Sequence, residues 1–454
     1  MILSNRNRDI WGSPDFWQGL CPELTIGRQD VAVASPSSTI LQSKQAEECR
    51  LRLIKDGYAT IDEPVIDASL TAKLLGGIQA LQQPGSFNED KMPVKLPASF
   101  VLLFDETWEL ARISKSILKQ STHAANEFNY DILAWFIETG GFSPHRDRQP
   151  ENVMASFHHK DMQAKFVTQW IALSEAQPEN SCLYVIPKWQ DPGYINGDDG
   201  PGAEDPLRRA LPAKDDFQHI RAIPRSQGQS LVFTHRIIHW GSARNGNSKM
   251  PPRVAISFVC SDPSYEKPYI DPKYFTDSVN PPFHIRLLLV CAQLLIYYQR
   301  FELPKETIKA CYDYCKEYED ELEKAYRQKV YLEFVKAMKE AKETAVAEKI
   351  QTNAGESHVK ERNADEDGGG NDEEEDEEDA MMEEMLIAEE QGYGEFEDDY
   401  EDTLDDASDN IINNCAHEAG DDEDDDSGTE EKGVSLFGSF SGNGHSPKRR
   451  KVNL

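Results

Sequence analysis

The sequence predicts a mainly β core of the double-stranded β-helix type, a cupin-like jelly roll, with flanking α-helices and a disordered acidic tail. Three observations predict it. Short β-type runs fill residues 128–262, apolar residues at helical spacing precede and follow them, and acidic residues crowd the C-terminal region. The predicted boundaries are an N-terminal arm (1–46), the jelly-roll domain (47–283), C-terminal helices (284–351) and the tail (352–454).

The first 45 residues mix polar, aromatic and Ser-rich segments without a sustained period, which indicates an extended arm. A helical pattern begins at Glu47 and leads into a short strand-like step at 57–61. Apolar residues at helical spacing over 67–81 predict the next helix. The folded core therefore begins near residue 47.

Five runs in the middle of the chain have the composition of strands: YDILAWFIE, FVTQWIAL, CLYVIP, QSLVFT and RVAISFVC. Clusters of Gly, Pro, Asn and Asp separate them. A long irregular insertion lies at 188–228. This arrangement favours a double-sheet jelly roll over an alternating βαβ fold.

Helical spacing returns after Pro282, first over 285–300 and then over 306–350. We expect these helices to pack against the core or to mediate self-association. From residue 352 onward the apolar content is too low to offset the entropy of ordering the chain. The sequence therefore predicts disorder there.

The acidity of the chain is a property of its tail. Residues 361–432 contain 34 acidic residues against two basic ones, which is nearly the whole excess of 33 negative charges. The rest of the chain is close to neutral, so the net charge excludes no class of ligand for the folded part. The sequence contains no direct signal for nucleic-acid binding.

The eight cysteines are scattered without a CxxC pair or a disulfide framework, which predicts reduced thiols inside the cell. The N-terminus has no apolar core of signal-peptide length, and the apolar run at 287–298 is too short to span a bilayer. Secretion and membrane insertion are both disfavoured.

The sharpest local feature is the segment SPHRD, in which His145 and Asp147 stand two positions apart after a Gly-Gly turn. In extended backbone, residues i and i+2 project from the same side of the chain, so both side chains can reach one metal ion. Such a pair by itself is more often solvated or satisfied within a core.

A second element, FTHRIIHWGS, brings His235 and His239, and Arg253 follows on the next strand. Two His and one Asp on one face of an iron centre leave three positions open for a bidentate 2-oxo acid and O2. The planar fork of an Arg suits the far carboxylate of such an acid. Either histidine can complete this set.

With these motifs, residues 47–262 resemble the phytanoyl-CoA hydroxylase (phytanoyl-CoA dioxygenase) family of iron(II)- and 2-oxoglutarate-dependent oxygenases. The family's entry strand, tryptophan strand, Asn-Gly-Cys-Leu turn and distal-histidine strand are similar, in that order, to KDGYATI, TQWIAL, PENSCLYVIP and GQSLVF.

The resemblance implies that iron is bound by His145, Asp147 and His239, and that Arg253 pairs with the distal carboxylate of 2-oxoglutarate. It also places Trp170 and Ser242 near this co-substrate. His239 is preferred to His235 because the family has Gly, a small residue and Asn after the ligand, as Gly241, Ser242 and Asn245 are here. No catalytic residue is implied beyond those that bind the metal and the co-substrate.

The activity that the resemblance implies is hydroxylation of an unidentified substrate, which uses O2 and releases succinate and CO2. Halogenating relatives replace the metal-binding carboxylate by a small residue, so the presence of Asp147 favours hydroxylation. This sequence differs from the family pattern at two other places. Lys188, Trp189 and Gln190 stand where the family usually has Gly-Ser-His, and the segment from His239 to Arg253 is longer than usual.

The sequence of the tail predicts binding partners and a location in the cell. A basic cluster at 447–452 resembles a nuclear import signal that an import receptor would bind, which predicts a nuclear, or nuclear and cytoplasmic, protein. The acidic runs suit a solubilising coil or a surface for basic nuclear proteins such as histones, and the apolar island at 381–388 could fold on a partner.

Two alternatives to the oxygenase remain. One is a catalytically inactive jelly-roll protein whose acidic tail binds histones, and the other is a zinc hydrolase with the same ligands. The sequence does not distinguish among small-molecule, lipid and peptide substrates.

Overall fold

A computed structural model describes residues 10–27, 41, 43–83, 95–198, 205–301 and 303–356, the side chains of 342–356 excepted. All of these residues belong to the unit Met1–Asp367. The acidic tail, its apolar island and its basic cluster lie outside the described residues. In the described part of the chain, no helix is long and apolar enough to cross a membrane.

The helices of the described residues lie mostly at the two ends. The α-helices are α1 (Pro14–Leu20), α2 (Ser43–Asp56), α3 (Ala68–Gln82), α4 (Asp105–Ser121), α5 (Gly193–Asn196), α6 (Pro206–Ala210), α7 (Phe283–Ile296), α8 (Lys305–Glu317) and α9 (Lys324–Glu356). Short 3-10 helices lie at Ala98–Leu103, Val153–Ser156, Pro178–Asn180, Lys188–Gln190, Lys214–His219, Pro272–Tyr274, Tyr298–Arg300 and Glu319–Glu321.

The strands are β1 (Tyr58–Ile61), β2 (Glu127–Phe128), β3 (Leu133–Ile137), β4 (Phe142–His145), β5 (Phe166–Ala172), β6 (Leu183–Ile186), β7 (Arg221–Ile223), β8 (Ser230–Thr234), β9 (Ile238–Gly241) and β10 (Arg253–Ser261). All of these strands except β1, which lies between α2 and α3, fall between the two groups of helices.

The strands form two antiparallel sheets. The larger sheet has the order β1-β8-β5-β10-β2, and β3 also pairs with β10. The smaller sheet has the order β4-β9-β6-β7. The prediction of a mainly β core of antiparallel strands with flanking helices is therefore confirmed.

The central strands of the larger sheet, β5, β8 and β10, are buried along their whole length. Their near-continuous apolar runs reflect this burial on both faces, since a strand with one face in water alternates polar and apolar residues. Helix α4 packs against β5 and β10 on one side of this sheet.

Helix α3 begins as predicted. Asp67 caps it by accepting hydrogen bonds from the backbone amides of Ser69 (2.8 Å) and Leu70 (2.9 Å). An N-cap of this kind contributes about 1 kcal/mol to stability.

Helix α7 is buried nearly all round, as its apolar sequence requires. Its one arginine, Arg286, is buried and donates to the carboxylate of Asp105 (2.6 Å) and to the carbonyl of Leu103 (2.8 Å). These contacts attach α7 to the start of α4 and to the 3-10 helix before it.

The structure differs from two predicted elements. Residues 14–20, in the predicted extended arm, form α1, and the buried ring of Trp17 stacks on Phe100 with 4.7 Å between centroids. A helix this short shows no period in the sequence. The continuous helix predicted over 306–350 is broken between α8 and α9, because Leu322 forms a β-bridge with Ile270 and therefore needs extended backbone.

Candidate metal and co-substrate site

The smaller sheet brings together the two parts of the predicted metal site. His145 is the last residue of β4, and it stands opposite His239 of the neighbouring strand β9. The two imidazole centroids are 4.4 Å apart. Asp147 follows β4 by two residues, and its amide donates to the carbonyl of His235 (3.1 Å), which holds this loop against the turn before β9.

These three side chains converge on one point. Oδ1 of Asp147 lies 3.4 Å from Nε2 of His239 and 3.9 Å from Nε2 of His145. One ligand atom from each residue lies within 4.8 Å of the other two. In the described part of the chain, no other set of three His, Cys, Asp or Glu side chains converges in this way.

Backbone carbonyls orient both imidazoles. Nδ1 of His145 lies 2.7 Å from the carbonyl oxygen of Ser143, and Nδ1 of His239 lies 3.2 Å from that of Ile237. A carbonyl oxygen only accepts, so each Nδ1 carries the proton and each Nε2 of the neutral ring carries a lone pair. Both lone pairs therefore belong to the nitrogens that face Asp147.

Both histidines are held neutral. Burial lowers the pKa of His145 to about 3, and the electrostatic effects of His239 and Arg300 act in the same direction. Burial also lowers the pKa of His239. Neutral imidazole is the form that binds a metal ion.

The carboxylate of Asp147 is ionised and fixed. Burial acts to raise its pKa, but the electrostatic interactions with His239, His145 and Arg148 outweigh this effect and lower the pKa. The hydroxyl of Thr168 donates to Oδ2 (2.9 Å) and lowers the pKa further. Oδ1 stays directed at the histidines.

Arg148, next to Asp147, belongs to the wall of the site. Its guanidinium pairs with Glu266 (2.7 Å) and Asp131 (3.1 Å) and lies over the ring of Phe166. Because its charge is compensated, Arg148 is not available to bind an anion.

Arg253 is different. It is 1% exposed, and its Nη1 donates to the carbonyl of Ser181 (2.6 Å), but its Nε has no hydrogen-bond partner. No carboxylate among the described residues pairs with it. Burial lowers its pKa to about 10, so the guanidinium remains charged at neutral pH. A buried, uncompensated cation is costly, and this one lies ready for an anion.

The surroundings of Arg253 leave room for such an anion. Its guanidinium lies 5.7 Å from the ring centroid of Trp170, and a Cβ at position 241 would lie 3.1 Å from its Nη1, so Gly241 keeps this space open. The hydroxyl of Ser181, also buried, has no partner either. Ser181 has φ of 77°, a left-handed conformation at the position where the family has Gly.

One cavity joins the metal-binding group to Arg253. Its volume of about 80 Å³ is several times the roughly 10–15 Å³ that one water needs, so it can accept a small ligand. Its lining residues are Asp131, Leu133, Trp135, Phe142, His145, Asp147, Arg148, Phe166, Thr168, Trp170, Leu183, Phe233, His239, Trp240, Gly241, Arg253, Ser257, Val259, Tyr297 and Arg300.

The structure separates the two candidate histidines. His239 belongs to the metal-capable group, whereas His235 does not. The buried ring of His235 has its Nδ1 3.1 Å from the carbonyl of Phe166, and its Nε2 has no partner. This geometry favours the choice of His239 made from the sequence.

Of the two residues expected near the co-substrate, Trp170 lines the cavity. Ser242 directly follows the cavity residue Gly241 and has a buried hydroxyl, but its side chain is not among the lining residues. Its proposed role therefore rests on the family pattern.

Sequence reasoning missed Thr168, Tyr297 and Arg300. A signal existed for Thr168, because it stands two residues from Trp170 on β5 and so projects to the same face. Tyr297 and Arg300 follow a helix far along the chain, and their local sequence carries no sign of a site.

The fold and the site define a protein with two antiparallel sheets and a His-Asp-His group capable of binding a metal ion. Residues 56–255 match the family model "Phytanoyl-CoA dioxygenase (PhyH)". The resemblance to this family that the motifs indicated is thereby confirmed over this segment. No curated protein matches the chain.

Several solved structures are similar to about half of the chain. The epimerase SnoN from nogalamycin biosynthesis is 18% identical, with 49% of this chain and 82% of that chain covered and a TM-score of 0.33. AviO1 from Streptomyces viridochromogenes is 20% identical, with 48% and 94% covered and a TM-score of 0.32. HygX from Streptomyces hygroscopicus, solved with iron bound, is 11% identical, with 49% and 88% covered and a TM-score of 0.33.

Proposed function

We propose that this protein is an iron(II)- and 2-oxoglutarate-dependent dioxygenase that hydroxylates an organic substrate and releases succinate and CO2. The observation that carries the proposal is the pairing, in one cavity, of the His145-Asp147-His239 group with the buried and uncompensated Arg253. The match of residues 56–255 to the phytanoyl-CoA dioxygenase family supports it.

The donor set fits iron(II). Two neutral imidazoles and one carboxylate, all on one side of the ion, are the ligands of non-haem iron oxygenases, and the remaining positions are left for co-substrate and O2. His145 and His239 would bind through Nε2, and Asp147 through Oδ1. Thr168 would keep the carboxylate in place through Oδ2.

Arg253 fits 2-oxoglutarate. Its unpartnered Nε, together with the buried hydroxyl of Ser181, offers donors to a carboxylate that enters from the cavity. Such an ion pair would compensate the buried charge of the guanidinium, which no carboxylate among the described residues does. The indole ring of Trp170, which lies beside the guanidinium, would help to keep Arg253 in place.

When bound, iron(II) with 2-oxoglutarate and O2 supplies the oxidising chemistry, in which the 2-oxo acid is decarboxylated and one oxygen atom enters a substrate C–H bond. The protein binds and orients the reactants. His145, His239 and Asp147 hold the metal, and Arg253 fixes the direction of the co-substrate. Apolar walls that include Phe233 and Leu183 exclude water.

Hydroxylation is preferred to halogenation within this proposal. The carboxylate of Asp147 faces the two histidines, in the position that halogenating relatives keep small for chloride. We also propose that the two sheets form the jelly roll predicted from the sequence.

A zinc hydrolase with the same three ligands would leave Arg253 unexplained. A catalytically inactive binding protein would gain nothing from a buried guanidinium without a counter-ion, whose burial costs free energy. Both alternatives are therefore less favourable than the oxygenase.

The proposals for the tail are independent of the site. We propose that the basic cluster at 447–452 directs the protein to the nucleus through an import receptor, and that the acidic runs bind basic nuclear proteins. Fusion of residues 440–454 to a cytoplasmic reporter tests the address, since replacement of the basic cluster by alanine should then abolish nuclear accumulation.

The activity is tested by anaerobic titration of the protein with iron(II) and 2-oxoglutarate, with the visible metal-to-ligand charge-transfer band as the signal. We expect the band in the wild type, no band in His145→Ala, and a requirement for far more 2-oxoglutarate in Arg253→Ala. Arg208→Gln, which removes an exposed Arg from α6, is the control and should behave as the wild type. A folded wild type without the band would refute the proposal.

A further inference from the structure

The C-terminal helices contribute a cation to the cavity. The family match ends at residue 255, whereas Tyr297 and Arg300 also line the cavity. Arg300 ends the 3-10 helix that follows α7, and it is exposed. This cation therefore lies at the open side of the site and comes from a part of the chain that the family match does not include.

Aromatic rings hold this cation in position. The guanidinium of Arg300 lies 5.6 Å from the ring centroid of Phe142 and 5.7 Å from that of Tyr297. The next residue, Phe301, stacks on Trp135 with 5.7 Å between centroids and 7° between planes. A guanidinium placed over ring faces keeps its N–H edge free to donate to an oxyanion.

Arg300 has no counter-ion among the described residues. Its Nη1 lies 3.4 Å from Nε2 of His145, a neutral nitrogen that the proposed function assigns to the metal. The carboxylate of Asp131, which also lines the cavity, is already engaged by Arg148 and by the hydroxyl of Tyr297 (2.9 Å). No carboxylate of the described residues therefore compensates the positive charge of Arg300.

The charges of the site with iron(II) and 2-oxoglutarate bound would also leave Arg300 without a counter-ion. Iron(II) and Arg253 would supply three positive charges, which Asp147 and the two carboxylates of 2-oxoglutarate would balance. The two carboxylates of Glu266 and Asp131 are balanced by Arg148 together with the nearby Lys329. The loaded site is thus neutral without Arg300, and one further negative charge would complete it.

We infer that Arg300 binds a carboxylate or phosphate group of the substrate, so that the substrate class is an organic anion. Its apolar part would lie against Trp135, Phe142 and Trp240, which line the cavity. The ring of Trp240 is itself fixed by stacking on Tyr184 at 5.5 Å between centroids. This inference rests on the proposed function and names the substrate class of the same site.

The test uses the full-length protein, loaded anaerobically with iron(II) and 2-oxoglutarate. The probes are 4-phenylbutyrate, 3-phenylpropyl phosphate and the neutral 4-phenylbutyramide, and their binding is followed by calorimetry and by the shift of the charge-transfer band. In the wild type we expect at least one anion to bind about tenfold more tightly than the amide, as a charge-assisted hydrogen bond provides. Comparison of the two anions distinguishes a carboxylate site from a phosphate site.

The variants assign the preference to Arg300. Arg300→Gln should lose the preference for the anion, Arg300→Lys should keep part of it, and Arg208→Gln should keep all of it. The affinity for 2-oxoglutarate should be unchanged in Arg300→Gln. If this affinity falls about tenfold instead, Arg300 serves the co-substrate and the inference is wrong.

The other outcomes are equally decisive. Equal affinity of the wild type for anions and amide, or no anion binding in a protein that forms the band, overturns the inference and leaves the proposed function standing. If the wild type forms no band, the proposed function itself fails, and this inference falls with it.

Discussion

The hydroxyl of Thr168 donates a 2.9 Å hydrogen bond to Oδ2 of Asp147, while Oδ1 of the same carboxylate faces the two histidines. Strand β5 of the larger sheet thus holds one oxygen of the carboxylate and leaves the other for a metal ion. Partners of this kind orient metal ligands and tune their affinity.

Thr168→Val keeps the shape of the side chain and removes the donor. We expect the affinity for iron(II) to fall by about tenfold to a hundredfold, because the carboxylate loses its fixed orientation. The measurement is anaerobic metal titration with a competing chelator. Thr168→Ser retains the hydroxyl and should stay close to the wild type, and an unchanged affinity in Thr168→Val would remove this role from Thr168.

His239→Asn should abolish binding of one equivalent of cobalt(II), followed by its visible spectrum, because the metal loses one of its three ligands. His235→Asn should still bind one equivalent, because the described geometry keeps its ring outside the metal-capable group. Circular dichroism of both variants checks that they fold. The reverse result would make His235 the ligand.

Arg146→Met should destabilise the fold strongly. The buried guanidinium of Arg146 pairs with Asp191 (2.6 Å) and Asp198 (2.5 Å), and both carboxylates would lose this partner. Breaking a buried pair by removal of one partner costs about 3–5 kcal/mol. Urea denaturation of the metal-free protein measures the loss.

The exposed Arg208→Gln is the control for this experiment and should change the free energy of unfolding by no more than about 0.5 kcal/mol. A loss below about 1 kcal/mol in Arg146→Met would show that Asp191 and Asp198 do not depend on this pair. Arg146 lies between the predicted metal ligands His145 and Asp147, whereas Asp191 and Asp198 belong to the insertion at 188–228. These ion pairs therefore also join the metal-binding loop to the insertion.

The lowered pKa of Glu266 should make the free energy of unfolding depend on pH. Burial acts to raise its pKa, but Arg148 outweighs this and the pKa is lowered to about 2. A carboxylate with a depressed pKa in the folded state contributes stability above its unfolded pKa of about 4.3, and this contribution is lost as pH falls towards 2. The expected contribution is about 3 kcal/mol.

The measurement is the free energy of unfolding of the metal-free wild type and of Glu266→Gln between pH 7 and pH 3. The difference between the two should be largest above pH 5 and should shrink as the solution becomes more acidic. A difference that is independent of pH would contradict the lowered pKa.

The sequence by itself determined the local parts of this protein. β-type runs and helical spacing predicted most strands and the helices α3 and α7, because side-chain periodicity follows from local backbone geometry. The same locality placed His145 and Asp147 on one face of an extended segment. The family motifs then pointed to His239 and Arg253.

Only the tertiary structure decided which distant groups meet. Thr168 reaches Asp147 because β5 lies beside the loop that follows β4. Arg300 lies 155 positions after His145, yet its guanidinium is 3.4 Å from that ring because α7 is buried against the core. Contacts of this kind depend on the packing of whole elements, and no local pattern of residues specifies them.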